Sequence, residues 1–200
     1  DGDPRRRPVS LQDALVARRE GGGKCLVPYL TGGLDGWTHM VEAVAQAGAD
    51  GIEVGIPFSD PVMDGPTIQE SSELALSQGA TPPSILDELT RVDVGVPLAV
   101  MTYVNLVYRF GWARFAQTLV ASGVSAAILP DLPLEEAGEW ATAADDAGVE
   151  TVMLAAPTTP DGRLERVDAG DARVGDVLGP LGAVPVAVVV LARRIGVPAG

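Results

Sequence analysis

Short apolar runs alternate along the chain with segments whose apolar residues recur at helical spacing. The runs predict strands at Cys25–Leu30, Ile52–Gly55, Leu98–Tyr103, Ala126–Leu129 and Thr151–Leu154, with at most one more at Pro185–Leu191. The periodic segments predict helices from a Ser10 cap to about Glu20, at Trp37–Ala47, Thr67–Gln78, Ser84–Arg91, Trp112–Ser122 and Glu135–Ala147, and a short one after Asp161. Strands alternating with helices are typical of an α/β fold with a parallel sheet covered by helices.

Three glycines mark the joints between predicted helices and the strands that follow. Gly48, Gly123 and Gly148 each stand at the end of a periodic segment. Glycine adopts the left-handed conformation that closes a last helical turn, so these positions favour a helix end followed by a strand.

Two architectures fit this alternation: an open doubly wound sheet or an eight-fold barrel. A dinucleotide-binding sheet requires a G-x-G-x-x-G loop after its first strand. Here the segment Thr31–Gly36 has glycines only at 32, 33 and 36, which is the wrong spacing. We therefore favour a (β/α)8 TIM barrel, incomplete at about five to six of its eight βα units, with its chemistry at the carboxyl ends of the strands.

Charge and composition exclude several classes of function. The net charge is −13, and the sequence contains no cluster of basic residues that could bind a nucleic acid. No apolar run approaches the roughly 20 residues that a membrane-spanning helix needs. Cys25 is the only cysteine and is expected to be a buried structural thiol, and its lack of a partner favours the cytoplasm. The only histidine, His39, is expected to be a solvated or core residue. Acid–base chemistry therefore falls to carboxylates or tyrosines, and no metal site is predicted.

The second predicted strand carries an isolated carboxylate, Glu53, between two apolar residues. Because side chains alternate along a strand, Ile52 and Val54 share one face and Glu53 points to the other. If the apolar pair packs on the helices, Glu53 enters the barrel interior, where desolvation raises its pKa. A glutamate pointing to solvent is the alternative.

The loop after this strand combines two carboxylates with three prolines. Asp60 and Asp64 lie among Pro57, Pro61 and Pro66, which restrict the backbone. A stiff, acidic loop at the carboxyl end of a strand suits a preorganised site. Ordinary turn chemistry at Asp60–Pro61 and Asp64–Gly65 is the alternative.

The stretch from Glu53 to Gln69 strongly resembles the signature of the tryptophan synthase alpha chain family. The resemblance covers about residues 10–166 and includes Leu26–Thr31, Met101–Asn105, Leu129–Glu136 and Ala156–Thr159. It implies a (β/α)8 barrel that cleaves indole-3-glycerol phosphate to indole and glyceraldehyde 3-phosphate by a retro-aldol lyase reaction, in tryptophan biosynthesis.

The resemblance also implies roles for individual residues. The family's catalytic glutamate matches Glu53, which would move a proton between the substrate hydroxyl and indole C3. Its catalytic aspartate matches Asp64, which would hold the indole N–H. Tyr103 matches a tyrosine close to the substrate, and Tyr29 stands where the family has an aromatic residue on the indole ring. Ordinary core packing is the alternative for both tyrosines.

The family implies a partner and no cofactor of its own. Pro57–Asp60 and Asn105 match positions that face a beta chain in an alpha2-beta2 tetramer, and pyridoxal phosphate belongs to that beta chain. Asp131, Glu135 and Glu136 also match motif positions. We leave them out of the catalytic set, because charges at a helix N-terminus explain the two glutamates.

The resemblance ends near Arg166, which divides the chain into a barrel portion, residues 1–166, and a divergent tail, residues 167–200. The tail lacks the family's late strands and phosphate-binding loops, and all nine aromatic residues lie at or before Trp140. The tail consists largely of Gly, Ala, Val, Asp, Arg, Pro and Leu, the mixture that GC-rich DNA encodes when it is translated in a shifted frame. We therefore expect a frameshift in the coding DNA or a wrongly assigned end of the gene. Failure to find the lost motifs in the other frames of the coding DNA would contradict this.

Three other functions stay open from the sequence. The chain could be a stand-alone indole-releasing lyase or a truncated, non-catalytic module that binds a beta chain. Another phosphate-sugar barrel, such as an isomerase, is the third, and the stretch Pro57–Pro66 speaks against it.

Overall fold

The computed structural model describes residues 9–155, 162 and 189–193. The strands are β1 (Tyr29–Thr31), β2 (Ile52–Gly55), β3 (Leu98–Met101), β4 (Ala126–Ile128), β5 (Glu150–Ala155) and β6 (Val189–Arg193). The helices are α1 (Leu11–Glu20), α2 (Trp37–Gln46), α3 (Pro66–Ser77), α4 (Pro82–Leu89), α5 (Val104–Phe110), α6 (Trp112–Ala121) and α7 (Gly138–Ala147), with a 3-10 turn at Leu134–Glu136.

The described strands form one sheet in the order β1-β2-β3-β4-β5-β6. Strands β1 to β5 are parallel and follow chain order, as the alternation of strands and helices predicts. Strand β6 pairs antiparallel with β5, with Thr151 opposite Arg193. It overlaps the sixth apolar run in sequence, but an apolar run does not specify the direction in which its strand pairs.

The sheet has two faces with different partners. Ile52, Val54, Leu98 and Val100 point to the helices and belong to the main core. Ala99, Ala126, Ile128 and Val152 point to the opposite face, which we call the inner face, and pack on Leu11 of α1. Neither group of apolar residues covers the inner face of β1 and β2 near the carboxyl ends of these strands. Polar side chains can therefore occupy that part of the face.

Helix α1 lies across the amino-terminal ends of the strands and is anchored by a carboxylate from β5. Ser10 caps the helix as predicted, because its Oγ accepts a hydrogen bond from the Asp13 N–H at 3.0 Å. The buried Glu150 accepts a second one from the Gln12 N–H at 3.0 Å. Burial raises the pKa of Glu150, and hydrogen bonds from Ser10 and the first turn of α1 oppose that rise.

The first predicted strand is wrong at its start. Residues from Cys25 to Pro28 are irregular, and only Tyr29–Thr31 pair with β2. Cys25 is exposed, contrary to the expectation of a buried thiol, and its Sγ lies 3.5 Å from the Leu15 carbonyl. The Leu26 N–H donates to Asp50 Oδ2 at 2.8 Å instead of joining the sheet. The Leu26 and Pro28 carbonyls do accept hydrogen bonds from the Asp50 and Glu53 N–H groups, so the run approaches β2 without forming a regular ladder before Tyr29, a difference that apolar composition does not encode.

Other boundaries differ less. The predicted strand through Tyr103 ends at Met101, and the unpredicted helix α5 follows it. The helix predicted at Glu135–Ala147 is divided into the 3-10 turn and α7. Gly48, Gly123 and Gly148 have φ of 99°, 75° and 85°, as predicted for helix-ending glycines. The only histidine, His39, is exposed, in agreement with one of the two expectations.

Several predictions lie outside the described residues: the motif Ala156–Thr159, the short helix after Asp161, the boundary at Arg166 and most of the tail. Within the described residues, no helix combines the length and the apolar character needed to cross a bilayer.

We predict that Leu11→Ala lowers the free energy of unfolding by about 2–4 kcal/mol, because it empties a fully buried site between α1 and the inner face. Urea unfolding at neutral pH measures this. Leu74→Ala makes the same truncation at a side chain that is 51% exposed and should cost less than about 1 kcal/mol. Equal losses in the two variants would contradict the role of α1 as a buried cover.

Candidate active site

Glu53 lies on the inner face of the sheet, as its alternation with two apolar residues predicts. Ile52 and Val54 are fully buried against the helices, which turns Glu53 the other way. Its Cα pairs with Tyr29 on β1 and Ala99 on β3. Burial raises the pKa of Glu53 to about 7, and the negative charge of Asp64 adds to this rise. Glu53 can therefore hold or release a proton near neutral pH.

Asp64 is the second carboxylate of the site and lies in the loop between β2 and α3. Its Oδ2 accepts a hydrogen bond from the Tyr103 hydroxyl at 2.9 Å. Burial raises the pKa of Asp64, and the bond from Tyr103 opposes this rise because it stabilises the charged form. Two nearby carboxylates thus occupy different environments, which is the arrangement that separates an acid–base group from an ionised partner.

Tyr103 fixes the loop that carries Asp64. Its hydroxyl donates to Asp64 and accepts from the Met63 N–H at 2.9 Å. Its buried ring stacks on Phe58 with 5.0 Å between ring centroids. The side-chain amide of Gln69 donates to the Asp64 carbonyl at 2.8 Å and holds the same loop from α3. The hydroxyl of Tyr103 therefore makes its hydrogen bonds within the protein, to Asp64 and Met63. Its ring contacts Phe58 at the start of the loop.

Asp131, which sequence reasoning left out of the catalytic set, supports this arrangement from β4. Its Oδ1 accepts a hydrogen bond from the Val104 N–H at 2.9 Å, at the first residue of α5. The bond connects the loop after β4 to the backbone that follows Tyr103. Asp131 matches a motif position of the family, but nothing in the sequence indicated that its carboxylate accepts a backbone N–H.

Tyr29 lies beside Glu53 on the inner face. Its hydroxyl occupies the space that a side chain at position 55 would fill, so Gly55 is required there by close approach. Thr31 Oγ1 lies 3.5 Å from this hydroxyl and 2.7 Å from Ser71 Oγ. Burial, with the charges of Asp64 and Glu53, raises the pKa of Tyr29 to about 12. The phenol is therefore protonated at neutral pH.

The residues predicted to face a partner fall in two environments. Pro57 is buried, whereas Asp60 and Asn105 are exposed. Beside Asp60, the apolar side chains of Val62 and Met63 are 78% and 59% exposed. The described residues bring no three potential metal ligands together.

Comparison with known proteins identifies the family. A sequence model described as "Tryptophan synthase alpha chain" matches residues 15–172, which is most of the chain. The chain belongs to the tryptophan synthase alpha chain family. The resemblance inferred from the stretch Glu53–Gln69 is confirmed.

Relatives and solved structures of this family agree. The tryptophan synthase alpha chain of Xanthomonas axonopodis pv. citri is 44% identical over 161 residues, which are 78% of this chain and 60% of that one. The one from Laribacter hongkongensis is 38% identical over 93% of this chain and 74% of its own. The crystal structure of the alpha subunit from Legionella pneumophila superimposes with a TM-score of 0.74 at 32% identity, covering 78% of this chain and 62% of that one.

These similarities confirm the predicted fold class, a TIM barrel represented in part. The described residues supply five parallel strands with their helices, against the eight of a complete barrel. The chain spans about 60% of the length of the first curated relatives that it matches.

We predict that the parent chain loses stability relative to Glu53→Gln as pH rises from 5 to 9. The free energy of unfolding of the variant minus that of the parent chain should therefore be larger at pH 9 than at pH 5. The folded pKa of Glu53 is about 7, above the ordinary 4.5. The folded chain therefore favours the protonated carboxyl. The stability associated with this proton is fully present below pH 4.5 and is lost as pH rises through 7. The loss is at most about 3 kcal/mol, and the glutamine variant avoids it. Urea unfolding at both pH values measures the difference.

Glu73→Gln, at an exposed position of α3, is the control for this comparison and should show no such divergence. Parallel pH profiles for the parent chain and Glu53→Gln would contradict a desolvated Glu53.

We predict that Tyr103→Phe raises the pKa of Asp64, because it removes the hydrogen bond that favours the carboxylate and keeps the ring on Phe58. The carboxyl 13C resonance of Asp64, followed against pH, measures this. Tyr108→Phe is the control, since Tyr108 is 71% exposed. An unchanged Asp64 titration in Tyr103→Phe would show that the hydroxyl does not hold the carboxylate.

Proposed function

We propose that this chain carries the retro-aldol lyase site that cleaves indole-3-glycerol phosphate to indole and glyceraldehyde 3-phosphate. The observation that carries the proposal is Glu53, a desolvated carboxyl with a pKa of about 7, next to a second carboxylate, Asp64. Family membership supports the same reaction. A single group with this pKa can serve as acid in one step and as base in the next.

The proton steps balance on Glu53 alone. Protonated Glu53 delivers its proton to indole C3, which places a positive charge on the ring nitrogen. Glu53, now ionised, takes the proton of the substrate hydroxyl on the carbon attached to C3. The oxygen forms the aldehyde carbonyl, the bond between C3 and that carbon breaks, and its electron pair returns to the ring. Indole and aldehyde leave, and Glu53 is protonated again.

Asp64 stabilises the charge that develops in between. Its carboxylate accepts the indole N–H and attracts the positive ring, an interaction that strengthens as the charge forms. Tyr103 and Gln69 hold Asp64 and its loop before the substrate binds, which preserves the orientation of the carboxylate. The predicted contact of Tyr103 with substrate is thus through its ring, and Tyr29 is the second aromatic neighbour of the indole.

The partner we propose is a tryptophan synthase beta chain in an alpha2-beta2 tetramer. Support comes from the exposed Asp60 and Asn105 and from the exposed apolar Val62 and Met63 between Asp60 and Asp64. Indole released at the site would pass to that chain, which holds pyridoxal phosphate. The alpha subunit itself needs no cofactor for the steps above, and the proposed location is the cytoplasm.

A second candidate is a non-catalytic module that binds a beta chain through this same rim. The exposed Val62 and Met63 favour it, because apolar side chains at a rim suit docking whether or not catalysis occurs. It also accords with the proposed division into a barrel portion, residues 1–166, and a separate tail, residues 167–200. A stand-alone lyase is the alternative. It would release indole with the same Glu53 and Asp64 but without binding a beta chain.

We predict that the 200-residue chain releases indole from indole-3-glycerol phosphate, and that Glu53→Gln lowers the rate by roughly 100-fold or more, because it removes the acid–base group. Indole is measured with and without a beta chain. Glu73→Gln should match the parent chain.

The outcomes separate the candidates. Release that needs no beta chain supports a stand-alone lyase, and release stimulated by a beta chain supports the tetramer. A folded chain that binds a beta chain but releases no indole would overturn the lyase and leave the module. Release unaffected by Glu53→Gln would contradict the assigned acid–base group.

A further inference from the structure

Three hydroxyl side chains form a line from helix α3 to the inner face beside Glu53. Ser71 Oγ lies 2.7 Å from Thr31 Oγ1, which lies 3.5 Å from the Tyr29 hydroxyl. Ser71 Oγ also lies 3.0 Å from the Ile68 carbonyl, within its own helix. The proton steps on Glu53 use none of these hydroxyls.

The protons of this line can be arranged in two directions. Each hydroxyl has a single proton to donate. If Ser71 donates to Ile68, Thr31 can donate to Ser71, and the Tyr29 hydroxyl then loses the bond that Thr31 otherwise donates to it. If Ser71 instead donates to Thr31, Thr31 donates to Tyr29, and the phenol proton is free for an acceptor in the site. Only protons move between the two arrangements.

The second arrangement makes Tyr29 a stronger donor. A hydroxyl that accepts a hydrogen bond is polarised and donates a better one, so donation from Ser71 to Thr31 to Tyr29 is cooperative. Gly55 lets the phenol lie against the β2 backbone, two residues beyond Glu53 toward the carboxyl end.

The reaction supplies an acceptor for this proton. The substrate oxygen gains negative charge as Glu53 takes its proton, before its electron pair forms the carbonyl of the aldehyde. A donor on the adjacent strand stabilises that charge, and it acts more strongly in the transition state than in the bound substrate. Tyr29 keeps its own proton throughout, so the balance of the reaction is unchanged.

We propose that Tyr29 donates a hydrogen bond to the substrate oxygen that Glu53 deprotonates, and that Thr31 and Ser71 are positioning residues that turn the phenol proton toward it. This inference rests on the proposed lyase function. It assigns a role to Ser71, which lies outside the signature stretch, and adds a hydroxyl function to an aromatic residue expected only to pack on the ring.

The test is a double-mutant cycle on indole release, with kcat and KM separated. We expect Tyr29→Phe to lower kcat roughly 10-fold with little change in KM, the size of one hydrogen bond to a developing charge. Ser71→Ala and Thr31→Val should each lower kcat roughly 3-fold. Because they act through Tyr29, their effects should vanish in the Tyr29→Phe background.

The control is Ser77→Ala on the same helix. Ser77 Oγ makes the same type of bond, to the Leu74 carbonyl at 2.7 Å, but is exposed and lies six residues beyond Ser71. It should leave kcat unchanged. A second readout needs no activity: the 13Cζ resonance of Tyr29 at pH 8, assigned through Tyr29→Phe, should shift in Ser71→Ala and not in Ser77→Ala.

The outcomes are distinguishable. Equal kcat for the parent chain and Tyr29→Phe overturns the donor role while the lyase stands. A Ser71→Ala effect that persists in the Tyr29→Phe background, or an unmoved 13Cζ resonance, overturns the positioning role. If the parent chain releases no indole, the proposed function and the donor role fail together, and the 13Cζ shift still decides whether Ser71 acts on Tyr29.

Discussion

The site depends on one constraint, the placement of a carboxyl group on the inner face of a parallel sheet. Glu53 has Ile52 and Val54 as neighbours, and both are buried on the other face, so the strand cannot turn Glu53 to solvent without exposing them. Desolvation then shifts the pKa of Glu53 toward neutrality. The small side chain of Ala99 on one side and Tyr29 on the other complete its surroundings in the sheet register.

The remaining contacts keep this carboxyl paired with a second one that lies on a loop. Loops are ordinarily the mobile parts of a domain, and Asp64 has no strand to hold it. Tyr103 solves this by using both hydrogen-bonding capacities of its hydroxyl on consecutive residues, Met63 and Asp64. Asp131 then holds the backbone just after Tyr103, so the loops after three successive strands constrain one another. A rigid group of this kind maintains its geometry without a bound ligand.

The sequence predicts those features that follow from local chemistry. Alternation correctly placed Glu53 on the inner face, glycines correctly marked helix ends, and the Ser10 cap was correctly read. Apolar spacing failed at Cys25, because apolar composition does not show whether a residue next to a strand is buried, and Cys25 is exposed. The contacts Thr31–Ser71 and Asp131–Val104 join residues far apart in the chain, and no local pattern encodes them. Alternation and the proline-rich acidic loop indicate Glu53 and Asp64 as candidates, whereas the roles proposed for Tyr29 and Tyr103 rest on the family resemblance.

The anchoring of α1 by Glu150 has a consequence for how the chain is made. The acceptor of the Gln12 N–H lies 138 residues later in the sequence. At ribosomal speeds of roughly 5–20 residues per second, α1 is synthesised roughly 7–28 seconds before β5. Leu11 has the inner-face side chains of β3, β4 and β5 as its partners, so during that interval it has no complete surface on which to pack. Helix α1 is therefore made well before β5 and is among the last of the described elements to reach its final place.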